Sequence, residues 1–584
     1  MHCNRIDRLG FGAAAALAAA MLVGWGHAAE PVSPAHNRAA ILRDLQDFSL
    51  AGMDRRLGPD YAFYHGQGQK EKFPEVWMPP RKEGAKGRHY QVGGPWTKEA
   101  GDFSSTQGQI LYVSDKGFGV DRVTIIEWSN GCFTESPEPP WWGGFRPEPA
   151  SAKWRAALIG DIGVPIAMAR GMASWANCGV IVFSSGLVGT AGTCTGKGGD
   201  PTFRFPAHKL PTAISITNKN EFALVTLCDT EQRKGQVAVL ALEGSGKKSG
   251  FAHEWRDDHP GLPNVAFLTR IKLLGYVDLP GMEFPTGVCA VGNHEGGRVN
   301  GLDGNAGLLR EFDLGKQAFR DMFLKGSNAQ YSSTAGFAVV ISKYEGKAAF
   351  IDLQPLFERV RRMYFTTEAN YLKTRDSGPG PKQWPYTFEF DPTWRPPVVK
   401  VLAVPRPTAV IASMAGGEKA RAFIASQDGK VGVYQVGGLA TEAPVSAQEI
   451  GRVAEVQVGR NPTWLGYQKY SSDTILAVSR GDREIAWIQY SGKEPQVIRR
   501  LRDARLLDPV YVEVSDTHGI ETALLTVADF KGRKIINYRY SQVVFATQGG
   551  AKFGMGPTGK DPFECGGVLE FPGSPFCISA TNVN

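Results

Sequence analysis

After Val23 the chain has no run of about 18 apolar residues, the shortest that crosses a bilayer as a helix, so no membrane span is expected. It lacks C-x-x-C-H, which excludes covalent c-type haem, and any C-x-x-C for zinc or thiol redox chemistry. It lacks G-x-S-x-G, and its ten histidines do not declare a Ser-His-Asp triad. Charged residues make up only 21%, and the net +7 is spread without basic blocks, so no nucleic-acid partner is expected. Low hydrophobicity and high net charge, the marks of disorder, are both missing. What the chain has in excess is punctuation: 70 Gly and 37 Pro, with 42% apolar residues. That combination excludes a mainly helical protein and reads as short strands joined by turns.

The first 28 residues read as a signal peptide. Arg5 and Arg8 precede an Ala/Leu-rich run from Gly12 to Val23, and Gly26 and Ala28 supply the small residues of a cleavage site. The expected location is therefore periplasmic or secreted. Of eight cysteines, seven follow the leader, an odd number that leaves at least one thiol over. Export favours disulfides, and Cys178 with Cys194 and Cys565 with Cys577 are the expected pairs, each closing a short Gly-rich loop.

One pattern recurs: an apolar strand ending in a small or polar residue, a tight turn, and a second apolar strand. It begins at Ile110, Phe222, Phe337, Ala422, Ile475 and Ala523, and Val180 opens half of another. Each copy is β-branched or aromatic and is bounded by Gly or Asp turn chemistry. Upstream of each lies a proline opening a further apolar run: Pro95, Pro165, Pro211, Pro285, Pro407, Pro462 and Pro509. Proline at a strand's first residue costs no ladder hydrogen bond. Repeating units of four strands read as propeller blades, an arrangement that leaves only short, protected sheet edges. The expected fold is all-β: a seven-bladed β-propeller with long loop insertions and a short, partly helical N-terminal arm.

The segment from Gly459 to Tyr490, with Asn461-PTWLGY and Ile475-LAVSRGDREIAWIQY, resembles the repeat of YVTN-type propellers. That broad group includes the propellers of quinoprotein amine dehydrogenase heavy subunits and of cytochrome cd1-type enzymes. The resemblance implies architecture over about residues 95–545 and does not fix function. The expected organisation is a leader at 1–28, an arm at 29–94, the propeller at 95–545 and a tail at 546–584 packing on it. Insertions are expected at 131–160, 292–335 and 355–400. Helices are expected from Ala39 to Leu50 and from Leu356 to Arg375.

In a propeller the hairpin turns and the lead-ins to the first strands share one face around the channel. Asp115, Asp229, Arg480, Asp482 and Asp529 stand at such turns, and Thr286 and Thr463 follow lead-in prolines. Together they form the expected ligand-binding rim. Each Asp reads equally well as the cap of its own turn, and each Thr as a lead-in clasp. Trp141 and Trp142 offer flat indoles for a saccharide or protein partner. His294, Glu295 and Asp303 lie among glycines in an oxygen-rich loop that suits a divalent ion such as calcium, without EF-hand spacing. The run from His253 to His259 reads as a solvated loop. No cofactor is otherwise indicated. These features favour a binding or scaffold protein that presents a polar face to a protein or saccharide. The competing expectation is a periplasmic enzyme performing metal-assisted hydrolysis or redox chemistry at the channel mouth.

Overall fold

The computed structural model describes residues 108–114, 117–121, 165–169, 178–192, 203–244, 255–257, 259–263, 268–293, 309–414, 420–467, 473–492, 494–514, 524–540, 562–570 and 574–582, besides a few isolated strand pairs. The protein is predominantly β. Seven of its sheets follow one plan, in which neighbouring strands run antiparallel in chain order. One holds Pro165–Ala169, Cys178–Phe183, Leu187–Gly192 and Phe203–Arg204. The next holds Lys209–Ile216, Phe222–Asp229, Lys234–Gly244 and Leu268–Asp278. Three more begin at Gly287–Gly292, Pro407–Ser413 and Pro462–Tyr467, and a sixth begins at Pro509–Val514. In the seventh, Gly108–Ser114 pairs with Gly117–Asp121 on one side and on the other with a strand from far along the chain, Pro575–Asn582.

The lead-in prolines do what their chemistry suggests. Pro165, Pro407, Pro462, Pro509 and Pro575 each begin a first strand, Pro211 is the third residue of its own, Lys209–Ile216, and each of the six is followed by a register shift of one residue. The proline gives up no ladder bond, and the bulge behind it bends the strand and sharpens its twist. The place beside Gly108–Ser114, expected for the strand after Pro95, is taken by the strand after Pro575. Pro95 itself lies outside the described residues. Residues 563–570, also beyond 545, form the fourth strand of the sheet that begins at Pro509.

First strands pack on first strands in chain order, and Pro575–Asn582 packs against both Pro509–Val514 and Pro165–Ala169. Between neighbouring sheets lie the cores. Val180, Val225 and Leu240 share one; Phe337, Val410 and Ile424 another; Phe423, Ile475 and Ala486 a third; Val478, Val527 and Ile536 a fourth. Second strands such as Phe222–Asp229 and Gly336–Ser342 are buried at every residue. Both faces meet a neighbour, so these strands are apolar without alternation.

Gly287–Gly292 pairs directly with Gly336–Ser342, so the intervening residues are an insertion, as the long gap after Pro285 predicts. A second insertion separates Lys347–Asp352 from Val398–Ala403. The helix expected from Leu356 to Arg375 is present in three pieces: Gln354–Arg361, a π-helical turn at Arg362–Thr366, and Glu368–Thr374. Thr367 breaks it, because its side chain accepts from the Asn370 amide and caps a new helix. The two insertions contribute Phe323, Tyr364, Trp384 and Trp394 to an aromatic core that also takes Trp255. With His259 buried as well, the 253–259 run is not the solvated loop expected: its aromatic rings are drawn into this core. The two insertions leave the sheet at the end opposite its hairpin turn, since connections in an antiparallel sheet alternate ends.

The expected Cys565–Cys577 bridge is not made. Cys577 is a free, buried thiol that donates to the Met168 carbonyl at 3.5 Å. The physical reason is placement: Cys565 pairs with Tyr538 in one sheet and Cys577 with Val113 in another. Burial pushes the Cys577 thiol up to about 12, which leaves it inert. Cys194 lies outside the described residues, and with it the other expected pair.

Candidate functional site

Four hairpins share one turn. Strands ending at Asp229, Ser342, Ser479 and Asp529 are followed by four residues, and the next strand begins at 234, 347, 484 and 534. The fourth turn residue is left-handed each time: Arg233 at φ 50°, Gly346 at 60°, Arg483 at 53° and Arg533 at 53°. Three arginines thus occupy a conformation that costs a non-glycine residue energy. The last strand residue closes the turn. Asp229 Oδ1 accepts from the Glu231 and Gln232 amides at 3.1 and 2.9 Å, and Asp529 Oδ1 accepts from the Gly532 amide at 2.6 Å. Both aspartates therefore act as turn caps.

Each also reaches back to the lead-in of its own sheet. The second oxygen of Asp229 accepts from Lys209 Nζ at 2.8 Å, with side-chain exposures of 0% and 9%. Lys209 lies 4.3 Å over the Tyr276 ring and also donates to Gln236. Burial alone would raise the Asp229 carboxyl, but the Lys209 ammonium and the Gln232 amide outweigh it and hold it below the ordinary 3.8. A depressed folded-state pKa contributes stability above pH 3.8 that is lost as pH falls through the lowered value. Asp229→Asn is expected to cost about 2 kcal/mol at pH 7. Urea titrations at pH 7, 5 and 3 check this: the gap to the parent must hold at pH 5 and narrow at pH 3.

Asp529 Oδ2 accepts from the Leu507 and Asp508 amides. Arg480 grips the Asp508 carboxylate with Nε at 2.5 Å and Nη2 at 2.7 Å. Arg480 and Asp529 are thereby joined through Asp508, across two adjacent sheets. Asp482 accepts from the Arg460 amide and guanidinium at 2.6 and 2.7 Å. Partial burial opposes ionisation there, but those donors, with Arg502 nearby, hold Asp482 below 3.8. Thr463 Oγ1 donates to the Val510 carbonyl at 3.2 Å, stitching the same two sheets. Thr286 Oγ1 donates to Ile341 and accepts from the Lys343 amide. Asp115, Trp141, Trp142, His294, Glu295 and Asp303 lie outside the described residues, so the expected partner loop and metal loop are not placed.

The rim contains residues that the sequence reading passes over. Glu484 is fully buried and receives Arg500 and Arg502. Asp503 accepts from Arg505 at 2.8 Å and from the Tyr538 hydroxyl at 2.9 Å. A usable signal was present: charged residues flanking the lead-in prolines (Lys209, Asp508) oppose in sign the charge near a hairpin turn (Asp229, Arg480). Around the turn 480–483 an open cleft of about 270 Å³ is lined by Asp482, Arg483, Arg502, Asp503, Ala504 and Leu506. Among the described residues, no three His, Cys, Asp or Glu side chains converge as a metal site requires. No helix among them is long and apolar enough to cross a membrane.

No family model matches the chain, and no curated protein matches it. Solved structures with a similar course include a Lactobacillus plantarum protein determined as a structural-genomics target. It is 10% identical, with 81% of this chain and 99% of that chain covered and a TM-score of 0.39. A functionally unknown protein from Desulfotomaculum acetoxidans is 8% identical, with 69% and 89% covered and a TM-score of 0.33. Hydrazine synthase of Kuenenia stuttgartiensis is 10% identical, with 59% and 64% covered and a TM-score of 0.28. Likeness of this order fixes neither a family nor an activity.

Proposed function

We propose that this chain is an exported, YVTN-like, seven-bladed β-propeller that binds a protein or saccharide partner on the face carrying its hairpin turns. The observation that carries the architecture is Pro575–Asn582, which supplies the inner strand beside Gly108–Ser114 and packs between the first strands at 509–514 and 165–169. A chain whose last strand completes its first sheet needs no other edge closure. Support for binding comes from the hairpin-turn face. Asp229, Asp482, Asp508 and Asp529 there are committed to basic groups or turn amides, while Arg233 and Arg460 stay 79% and 76% exposed. Such a face suits recognition by charge and shape.

A photo-cross-linking residue at Arg233 or Lys531, in cells that export the full chain, tests the reading. One identified protein cross-linked there and absent from Leu372, on the opposite end, supports it; so does a saccharide that blocks labelling at the two turns. Cross-links from Leu372 alone, or from no position, overturn it. Export is checked by fusing residues 1–40 to a reporter enzyme that is active only outside the cytoplasm.

A further inference from the structure

We infer that the cleft at the turn 480–483 is an oxyanion site, built for a group carrying about two negative charges, such as a phosphate or sulfate. The argument starts from a comparison the molecule makes with itself. Arg233, Arg483 and Arg533 occupy the same left-handed position of the same four-residue turn. Arg233 reaches Glu283 at 3.5 Å, and Arg533 is engaged as well. Arg483 is exposed and has no hydrogen-bond or ion-pair partner among the described residues. It is also the one of the three that borders the cleft.

The charges around the cleft do not balance. Asp482 is taken by Arg460, Asp503 by Arg505, and Glu484 by both Arg500 and Arg502. Among the described residues, three carboxylates thus face four paired guanidinium groups, and Arg483 adds a fifth. Arg502 spends Nε and Nη2 on Glu484, keeps Nη1 free, and is 50% exposed. A guanidinium presents a planar fork of donors that matches the oxygens of carboxylate, sulfate or phosphate. Two such forks with donors to spare border a concavity of about 270 Å³ that buried Leu506 also lines; Asp482 and Asp503 line it too, each already held by a guanidinium group. That volume takes a small dianion, or the anionic end group of a larger ligand. The cleft is formed by one sheet and the loop leaving it, so the inference stands or falls independently of propeller closure and of the partner's class.

The test uses the full chain and inorganic phosphate, titrated by calorimetry at fixed ionic strength with chloride as the balancing anion. Saturable binding is expected, with sulfate competing and acetate weaker. Arg483→Gly relieves the left-handed backbone while deleting the guanidinium, so folding is spared and affinity is expected to fall at least tenfold. Arg483→Lys, which keeps the charge but loses the fork, is expected to fall between the two. Arg233→Gly, the same change at the equivalent turn, is expected to leave binding intact. No saturable binding by the parent overturns the inference, as does equal affinity in Arg483→Gly or equal loss in Arg233→Gly.

Discussion

A chain ending at Gly573 is expected to lose its cooperative fold, although it lacks only eleven residues. The deleted segment holds Pro575–Asn582, which pairs with Gly108–Ser114 on the side away from Gly117–Asp121. Without it the strands 108–114 and 117–121 become an isolated two-stranded hairpin, which is marginal in water. The loss does not stop there. The first strands at 509–514 and 165–169 lose a packing neighbour, and buried surface around Cys577 and Met168 is exposed. The edge of Gly108–Ser114 is then left unpaired, which invites aggregation. Full-length protein should resist thermolysin under conditions where the truncated chain is degraded, and the truncated chain should lack a sharp urea transition. Adding a peptide of residues 574–584 should restore part of the resistance by strand addition. An unchanged urea midpoint in the truncated chain would overturn the closure proposed for this strand.

That dependence also explains what could be read from the sequence. The hairpins from Phe222, Phe337, Ala422 and Ile475 and the prolines before them were legible because their chemistry is local. Turn residues, a missing N–H and β-branched runs all act within about 20 residues of each other. The mate of Gly108–Ser114 was not legible, because a pairing across more than 450 positions leaves no local trace. Asp229 and Asp529 were legible as turn residues. Their partners Lys209 and Asp508 emerged only once the register placed the lead-in opposite the strand end. The Cys565–Cys577 expectation failed for the same reason: closeness along the chain does not put two residues in one sheet.

Glu484→Ala is expected to cost about 3–5 kcal/mol, the usual penalty for leaving buried charge without its counter-ion. Glu484 opens its strand directly after left-handed Arg483, and its register partner is Arg502. Arg500, two residues away, projects from the same face of that strand. The carboxylate is wholly buried and receives both guanidinium groups, while Arg500 is only 15% exposed. Removing it leaves two like charges on one face without the carboxylate they share, a destabilising arrangement in its own right. The cavity cannot collapse easily, because Gly459 already sits so close that a Cβ there would lie 2.7 Å from Glu484 Oε1. Urea unfolding of Glu484→Ala, Arg500→Ala and the double variant forms a cycle that isolates the pair. The double variant is expected to be less destabilised than the sum of the singles, because the more buried of the two charges left over in Glu484→Ala is then gone. Additive losses would show that Glu484 contributes through packing and not through charge. They would also remove one of the carboxylates counted against the arginines around the cleft, and that surplus is what the phosphate titration reads.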